Sequence, residues 1–285
     1  MTLLKIAIQK TGRLSEKSLE LISEAGISLN NSDRKLISKS SNFPVEILFL
    51  RDDDIPQYVA DGVADIGIVG ENVIREKNSP VDVIERLGFA KCRLSLAIPK
   101  SIDYKGVSYF NGKKIATSYP NILQGFLDEN KIKADIHEIS GSVEIAPGIG
   151  LADSIFDIVS SGSTLISNGL QEVEIVMKSE AVIIGQPGMA GEKKKILEKL
   201  LFRTRSVQKA KSNKYIVLNA PANSVAKIKQ IIPGMKSPTV VPLAQEGWVS
   251  IHSVLKENEF WDVIDQLQEA GAQGILVIPI EKMIV

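Results

Sequence analysis

At 285 residues the chain has room for two domains of ordinary size or three small ones. Its 34 Lys plus Arg balance 34 Asp plus Glu, which excludes a basic coat for nucleic acid and an acidic tail, and 44% hydrophobic against 24% charged residues describes a folded protein. The lone Cys92 excludes a disulfide framework and a multi-cysteine zinc site, no apolar run approaches the ~20 residues that span a bilayer, and the opening MTLLKIAIQKTGR lacks the marks of a secretion signal; a cytoplasmic location is expected.

Residues 3–9 predict a strand, followed by the polar loop Lys10-Thr11-Gly12-Arg13 and a helix capped by Ser15, with Leu19, Ile22 and Ala25 on one face and Gly26 at its stop. A second strand is predicted over 45–50, then Arg51, three acids and a helix near Pro56 that stops at Gly62. A third, over 66–69, leads through Gly70 into Glu71 and Asn72. Strands alternating with helices predict a mainly parallel α/β sheet, whose ligands sit at the carboxyl ends of strands. All three polar loops lie at such ends. A second α/β set follows 93–99, with strands over 114–117 and 134–139 and a helix that Pro120 starts. Segments 60–70 and 150–162 echo one another, each running glycine, Ala-Asp, strand, glycine, which predicts two similar lobes facing a shared cleft. From 191 to 214 the chain is Lys/Arg-rich and helical, with Ile196, Leu197, Leu200 and Leu201 as an apolar stripe, and reads as a solvated linker. Beyond it a strand over 215–218, a helix over 223–232, strands over 239–243 and 248–254, a helix over 259–270 and a strand over 274–280 give the order βαββαβ, a ferredoxin-like unit suited to regulation or oligomerisation.

The most informative stretch for chemistry is GLADSIFDIVSSGSTLISNGL, residues 150–170. Asp153 and Asp157 are four apart, which places them on one side in either a helix or a strand. Ser160, Ser161, Gly162, Ser163 and Thr164 follow. Their small side chains leave backbone N–H groups accessible, their hydroxyls add donors, and the next helix start adds partial positive charge, together an anion cradle. Carboxylates beside such a cradle suggest a ribose 5-phosphate; on spacing alone, a strand end and a plain turn fit as well. Lys10, Arg13, Arg51 and Arg93 around one cleft can hold a polyphosphate, although each alone reads as a solvated or paired surface charge. Neither a Walker A lysine nor a dinucleotide fingerprint is present. Cys92 has no local histidine base and reads as a packed thiol, and His137 and His252 lack metal-ligand spacing. The acids Asp52, Asp53 and Asp54 leave a metal reading and a helix-cap reading open.

Several blocks in one order resemble the long form of the ATP phosphoribosyltransferase family: IAIQKTGRLS from Ile6, RDDDIP from Arg51, DIGIVGENV from Asp65, CRLSLA from Cys92, KIATSYP from Lys114, GSVEIAPGIGLAD from Gly141, DIVSSGSTL from Asp157, then KSPTVVPL and ILVIPIEKM. The resemblance implies two periplasmic-binding-protein-like α/β lobes, the first from residues 1–93 and 178–210, the second from 94–177, and a C-terminal ACT-like domain over 211–285 that binds histidine. It implies transfer of the phosphoribosyl group of phosphoribosyl pyrophosphate (PRPP) to N1 of the adenine of ATP, with Mg²⁺ held mainly through pyrophosphate oxygens. By resemblance Asp153 and Asp157 face the ribose, and Ser160 to Thr164 hold its 5′-phosphate. Lys10, Gly12, Arg13, Arg51, Glu71, Asn72 and Arg93 line the ATP and pyrophosphate side, and Glu144 is the candidate metal ligand. Met235, Ser237, Thr239, Gly274 and Asn219 fall at histidine-binding positions, with Asn219 standing where some relatives carry an aspartate. A homo-oligomer, dimer and hexamer, and no nucleic-acid or membrane partner are implied. A solute receptor and a phosphoribosyltransferase for another base are the rival readings.

Overall fold

A computed structural model describes residues 2–29 and 36–284. The first apolar run becomes β1 (Leu4–Gln9), and Gly12, at φ 95°, turns the chain into α1 (Arg13–Glu24). The helix opens with the Glu16 N–H donating to the Gly12 carbonyl at 3.1 Å, so Ser15 is not its cap: it lies inside the first turn and is buried. Next come β2 (Ile37–Lys39), β3 (Val45–Leu50), α2 (Ile55–Ala60), β4 (Ile66–Gly70), α3 (Glu71–Lys77) and β5 (Asp82–Arg86). The chain then crosses into β6 (Cys92–Pro99), β7 (Lys114–Thr117), α4 (Pro120–Glu129), β8 (Asp135–Glu138), β9 (Ser154–Val159), α5 (Ser163–Ser167) and β10 (Leu170–Ser179), and returns through β11 (Ala181–Gly185) to α6 (Gly191–Lys211).

Two sheets result, ordered β2-β3-β1-β4-β11-β5 and β10-β6-β9-β7-β8. They are less parallel than the sequence suggests. Parallel pairing runs through β3-β1-β4 and β9-β7-β8, whereas β11, β6 and β10 pair antiparallel. The strands that sequence reading passed over have physical reasons for being missed. β11 reads AVIIG and is buried throughout, so no two-residue period marks it, and β10 carries two register shifts that break its alternation.

The internal echo has a structural meaning. The Asp65 carboxylate accepts the Lys5 N–H at 2.8 Å, and the Asp65 N–H donates to the Lys5 carbonyl at 2.9 Å. Asp153 repeats this on Lys114, at 2.9 Å for both bonds. Each acid staples the start of its strand to the start of a parallel neighbour, and each also meets a lysine, Lys193 or Lys113.

A second compact unit comprises Leu21–Gly26 with Leu197–Val285. It holds β12 (Asn213–Pro221), α7 (Val225–Ile231), β13 (Thr239–Pro242), β14 (Trp248–Lys256), α8 (Phe260–Glu269) and β15 (Gln273–Pro279), in sheet order β13-β14-β12-β15. This is the ferredoxin-like order, with Ile216, Leu218, Ile228, Ile251 and Leu267 in its core and Gly271, at φ 87°, ending α8. The basic helix α6 is more than a solvated linker, because Ile196, Leu197, Leu200 and Leu201 are all buried.

At Gly67 in β4 an added Cβ lies 2.5 Å from Ile55 and 3.2 Å from Val59. Gly67→Ala is therefore expected to destabilise by about 1–3 kcal/mol, read as a lower melting temperature; an unchanged melt contradicts this packing.

Candidate active site

Because β1 lies between β3 and β4 in parallel register, the loops leaving all three emerge on one edge of the first sheet. The Lys10 N–H donates to the Leu50 carbonyl at 2.8 Å, which sets Lys10 beside Arg51. Arg13 follows at the start of α1. Lys10, Gly12, Arg13 and Arg51 are exposed, and among the described residues no ion pair engages the three cations.

In the second lobe β9 ends in the serine-rich loop. Gly162, at φ 81°, precedes α5, and the Ser161 and Ser163 hydroxyls stand 2.9 Å apart. The Arg93 guanidinium donates to the Ser160 carbonyl at 3.2 Å while gripping Glu172 with two nitrogens, the Nη2 bond being 2.6 Å. Arg93 holds the Glu172 carboxyl below its usual range. Arg93 is thus a brace under the loop and not a free phosphate-binding cation, which corrects the expectation from sequence. Glu71 is engaged likewise: Arg86 donates to its two oxygens at 2.6 and 2.7 Å and holds its carboxyl below the usual range. Glu71, Arg86, Lys91, Arg93 and Lys178 surround a hollow of about 510 Å³ that reaches Ser160. Cys92 is half-buried there with its thiol pKa pushed up by burial, consistent with a packed thiol.

A cavity of about 350 Å³ gathers Arg13 from the first lobe with Glu144, Asp157 and residues 158–165 from the second. The Asp157 carboxylate accepts the Ile158 N–H at 2.7 Å, yet burial pushes its pKa up to about 6, and the Glu144 charge adds to the rise. Two oxygen-rich acids crowding one cavity form a place where a cation or hydroxyl donors relieve the crowding. Asp153 does not join them. It stands at the amino end of β9, and at ~3.3 Å per residue the strand puts it roughly 13 Å from Asp157. Four-residue spacing therefore does not bring the two carboxylates together.

Asn72 is buried at the lobe junction. Its N–H donates to the Ser179 hydroxyl at 3.1 Å, its Oδ1 accepts from that hydroxyl at 2.8 Å, and its Nδ2 donates to the Tyr119 hydroxyl at 3.3 Å. Tyr119, which the sequence reading left out of the site, follows the carboxyl end of β7. Burial, then the Asp157 and Asp52 charges, push its phenol pKa up, so it stays neutral. Its position after a strand end and before Pro120 was the available signal. Asp52–Asp54 form a single 3₁₀ turn, and Asp54 precedes α2 without a side-chain cap bond. No group of three or more His, Cys, Asp or Glu gathers for a metal among the described residues.

In the C-terminal unit Asn219 and Gly274 are neighbours, a Cβ at Gly274 lying 3.6 Å from the Asn219 amide. Thr239 pairs with His252 on the edge strand β13, with β14 between it and β12. Met235 lines a separate cavity of about 210 Å³, and Ser237 bonds the Pro238 carbonyl at 3.4 Å.

A serine-rich loop that shares a cavity with the unpaired Arg13 of the other lobe is an arrangement suited to a phosphorylated ligand. Residues 51–206 match the family model for ATP phosphoribosyltransferase and residues 210–282 the model for the HisG C-terminal domain. The chain is 62% identical over 282 residues to an ATP phosphoribosyltransferase of Phocaeicola vulgatus, covering 99% of this chain and 100% of that one. Against the Bacteroides thetaiotaomicron enzyme it is 60% identical over 283 residues, with 99% and 100% covered. A solved ATP phosphoribosyl transferase (HisG:HisZ) complex from Thermotoga maritima superposes with TM-score 0.62 at 29% identity, covering 71% of this chain and 99% of that one. The chain belongs to the ATP phosphoribosyltransferase family, long form, which carries out the first step of histidine biosynthesis. The reaction moves the phosphoribosyl group of PRPP to N1 of the adenine of ATP and releases pyrophosphate.

Folded protein binds the Asp157 proton more tightly than unfolded chain does, so this group favours folding below pH 3.8, and the contribution is lost as pH rises through about 6. Asp157→Asn removes that loss: at pH 7.5 it is expected to melt about 2 °C or more above the native protein, with less pH dependence between 3.8 and 6. A lower melt at neutral pH contradicts the burial account. Asp153→Ala is expected to behave oppositely, losing about 1 kcal/mol of stability while the kcat of the folded enzyme stays near native. A collapse of kcat in a folded Asp153→Ala protein returns that residue to the site.

Proposed function

We propose that transfer takes place in the cavity shared by Arg13, Glu144, Asp157 and the 160–164 loop. Ser160, Ser161, Gly162, Ser163 and Thr164 hold the 5′-phosphate of PRPP through backbone N–H groups and hydroxyls, braced from beneath by Arg93. Asp157 faces the ribose hydroxyls. Lys10, Arg13 and Arg51, with Gly12 allowing close backbone approach, receive the pyrophosphate and the phosphates of ATP, and Asn72 and Tyr119 close the junction beside them. Glu71 borders the ATP side with its charge already committed to Arg86. The single observation that carries this reading is the cavity itself, which brings an unpaired cation of one lobe to the carboxylates and serine loop of the other.

The chemistry asks for alignment and electrostatics rather than a protein nucleophile. The C1′–oxygen bond to pyrophosphate breaks with its electrons leaving on the pyrophosphate, and the adenine N1 lone pair forms the new bond to C1′. Positive charge building on the ribose favours an ionised Asp157, and negative charge building on the leaving group favours the three cations. Mg²⁺ would be held mainly through pyrophosphate oxygens, with Glu144 as the protein ligand in the cavity, and would neutralise pyrophosphate charge. Because burial raises the Asp157 pKa to about 6 in the free protein, kcat/KM is expected to fall as pH drops through about that value.

The C-terminal unit is proposed to bind histidine at Asn219, Met235, Ser237, Thr239 and Gly274, inhibiting from a distance in a homo-oligomer (dimer and hexamer). No helix of the chain is long and apolar enough to cross a membrane among the described residues, and a cytoplasmic location suits a pathway fed by ATP.

Incubation with PRPP, ATP and Mg²⁺ is expected to release pyrophosphate only when both substrates are present, and histidine is expected to lower the rate. Release without ATP overturns the assignment of the cleft, and release indifferent to histidine overturns the regulatory part alone. Asp157→Asn is expected to lower kcat by about 100-fold or more in a protein that still melts cooperatively.

A further inference from the structure

Helix α4 begins at Pro120, which has no N–H, so Asn121 and Ile122 carry the first free donors of the helix. A serine or aspartate at the preceding position is the ordinary solution. Tyr119 stands there instead and makes no cap bond with its side chain. The acceptor comes from the other lobe. Glu76 of α3 takes the Asn121 N–H on Oε1 at 2.9 Å and the Ile122 N–H on Oε2 at 3.1 Å, and its own carbonyl accepts the Asn121 amide at 2.9 Å. Glu76 is 7% exposed, so this carboxylate sits at the lobe junction with its charge on a helix amino terminus.

We propose that Glu76 is a positioning residue for the transfer: by capping α4 from the opposite lobe, it fixes Tyr119 against Asn72 and sets how the two lobes face one another. The geometry ties these groups in series. Tyr119 is the residue just before the capped turn, its N–H donates to the Thr117 hydroxyl at 2.8 Å, and its own hydroxyl accepts from Asn72 across the junction. Asn72 in turn is locked to Ser179, where the chain crosses back between lobes. A cap supplied locally stays with its helix when lobes separate, whereas this one is lost, leaving the Asn121 and Ile122 N–H groups to water. Lobe separation therefore breaks the Glu76 cap and the Asn72–Tyr119 bond together.

The proposal rests on the reading that transfer occurs in the interlobe cavity. The two fail differently. A native enzyme that releases no pyrophosphate from ATP and PRPP defeats that reading, while a normal native enzyme with an indifferent Glu76 variant defeats only the proposal.

Glu76→Ala, Glu76→Gln, Tyr119→Ala and the Glu76→Ala/Tyr119→Ala pair are compared for kcat, both KM values and melting temperature. Glu76→Ala is expected to lower kcat about tenfold or more, since ~1 Å of misplacement reaches ~100-fold. Glu76→Gln keeps one acceptor oxygen and is expected to fall between Glu76→Ala and native. The double variant is expected to be no slower than Tyr119→Ala alone, because Glu76 acts through Tyr119. A cap with a purely structural role lowers the melt but leaves the kcat of folded enzyme within about twofold of native, or gives additive losses in the pair, and either result overturns the proposal. If Glu76→Ala does not fold, Glu76→Gln carries the comparison: its kcat is expected to fall more than about twofold below native, and its pair with Tyr119→Ala to be no slower than Tyr119→Ala alone, and the opposite of either result overturns the proposal.

Discussion

Parallel pairing is the constraint from which the site follows. With β1 between β3 and β4, and β7 between β8 and β9, the loops leaving several strands of each sheet share one edge. Lys10, Arg51, Glu71 and Asn72 come from one such edge, Tyr119 and Ser160 from the other. The amino ends of the same strands do a different job. There Asp65 and Asp153 staple neighbouring strands by paired backbone bonds, and their value is to register. One pattern, repeated in both lobes, thus separates stability at one end of the strands from chemistry at the other.

Charge is the second theme. The chain is neutral as a whole, yet its cleft separates charges already spent from charges held in reserve. Arg93 is committed to Glu172, and Arg86 to Glu71. Lys10, Arg13 and Arg51 have no such partner among the described residues. Facing them, Asp157 is kept in a setting that burial makes unfavourable for its ionised form. Of these, the half-buried carboxylate is the feature that costs stability, since burial opposes its ionised form, while the exposed cations are held by water.

Much of this was legible in sequence, for reasons that can be stated residue by residue. β1, β3, β4 and β9 announced themselves by short apolar runs ending in polar loops, and residues 160–164 by small hydroxylated side chains after a strand. The βαββαβ order of the C-terminal unit followed from alternating periods and from Gly271 at a helix end. What stayed hidden was pairing at a distance. Nothing near Arg93 in sequence points to Glu172, which is brought beside it by the antiparallel match of β6 and β10. Nothing near Pro120 points to Glu76. Asp153 and Asp157 are four residues apart, and only the extent of β9 shows that they serve its opposite ends.

Amide hydrogen exchange with and without PRPP and Mg²⁺ reads out whether the loop after β9 holds the phosphoribosyl substrate. Slowed exchange is expected over residues 160–165, with the amides around Asp153 unchanged. Exchange at 160–165 that is indifferent to a saturating substrate, with protection appearing elsewhere in the lobes, contradicts that role of the loop.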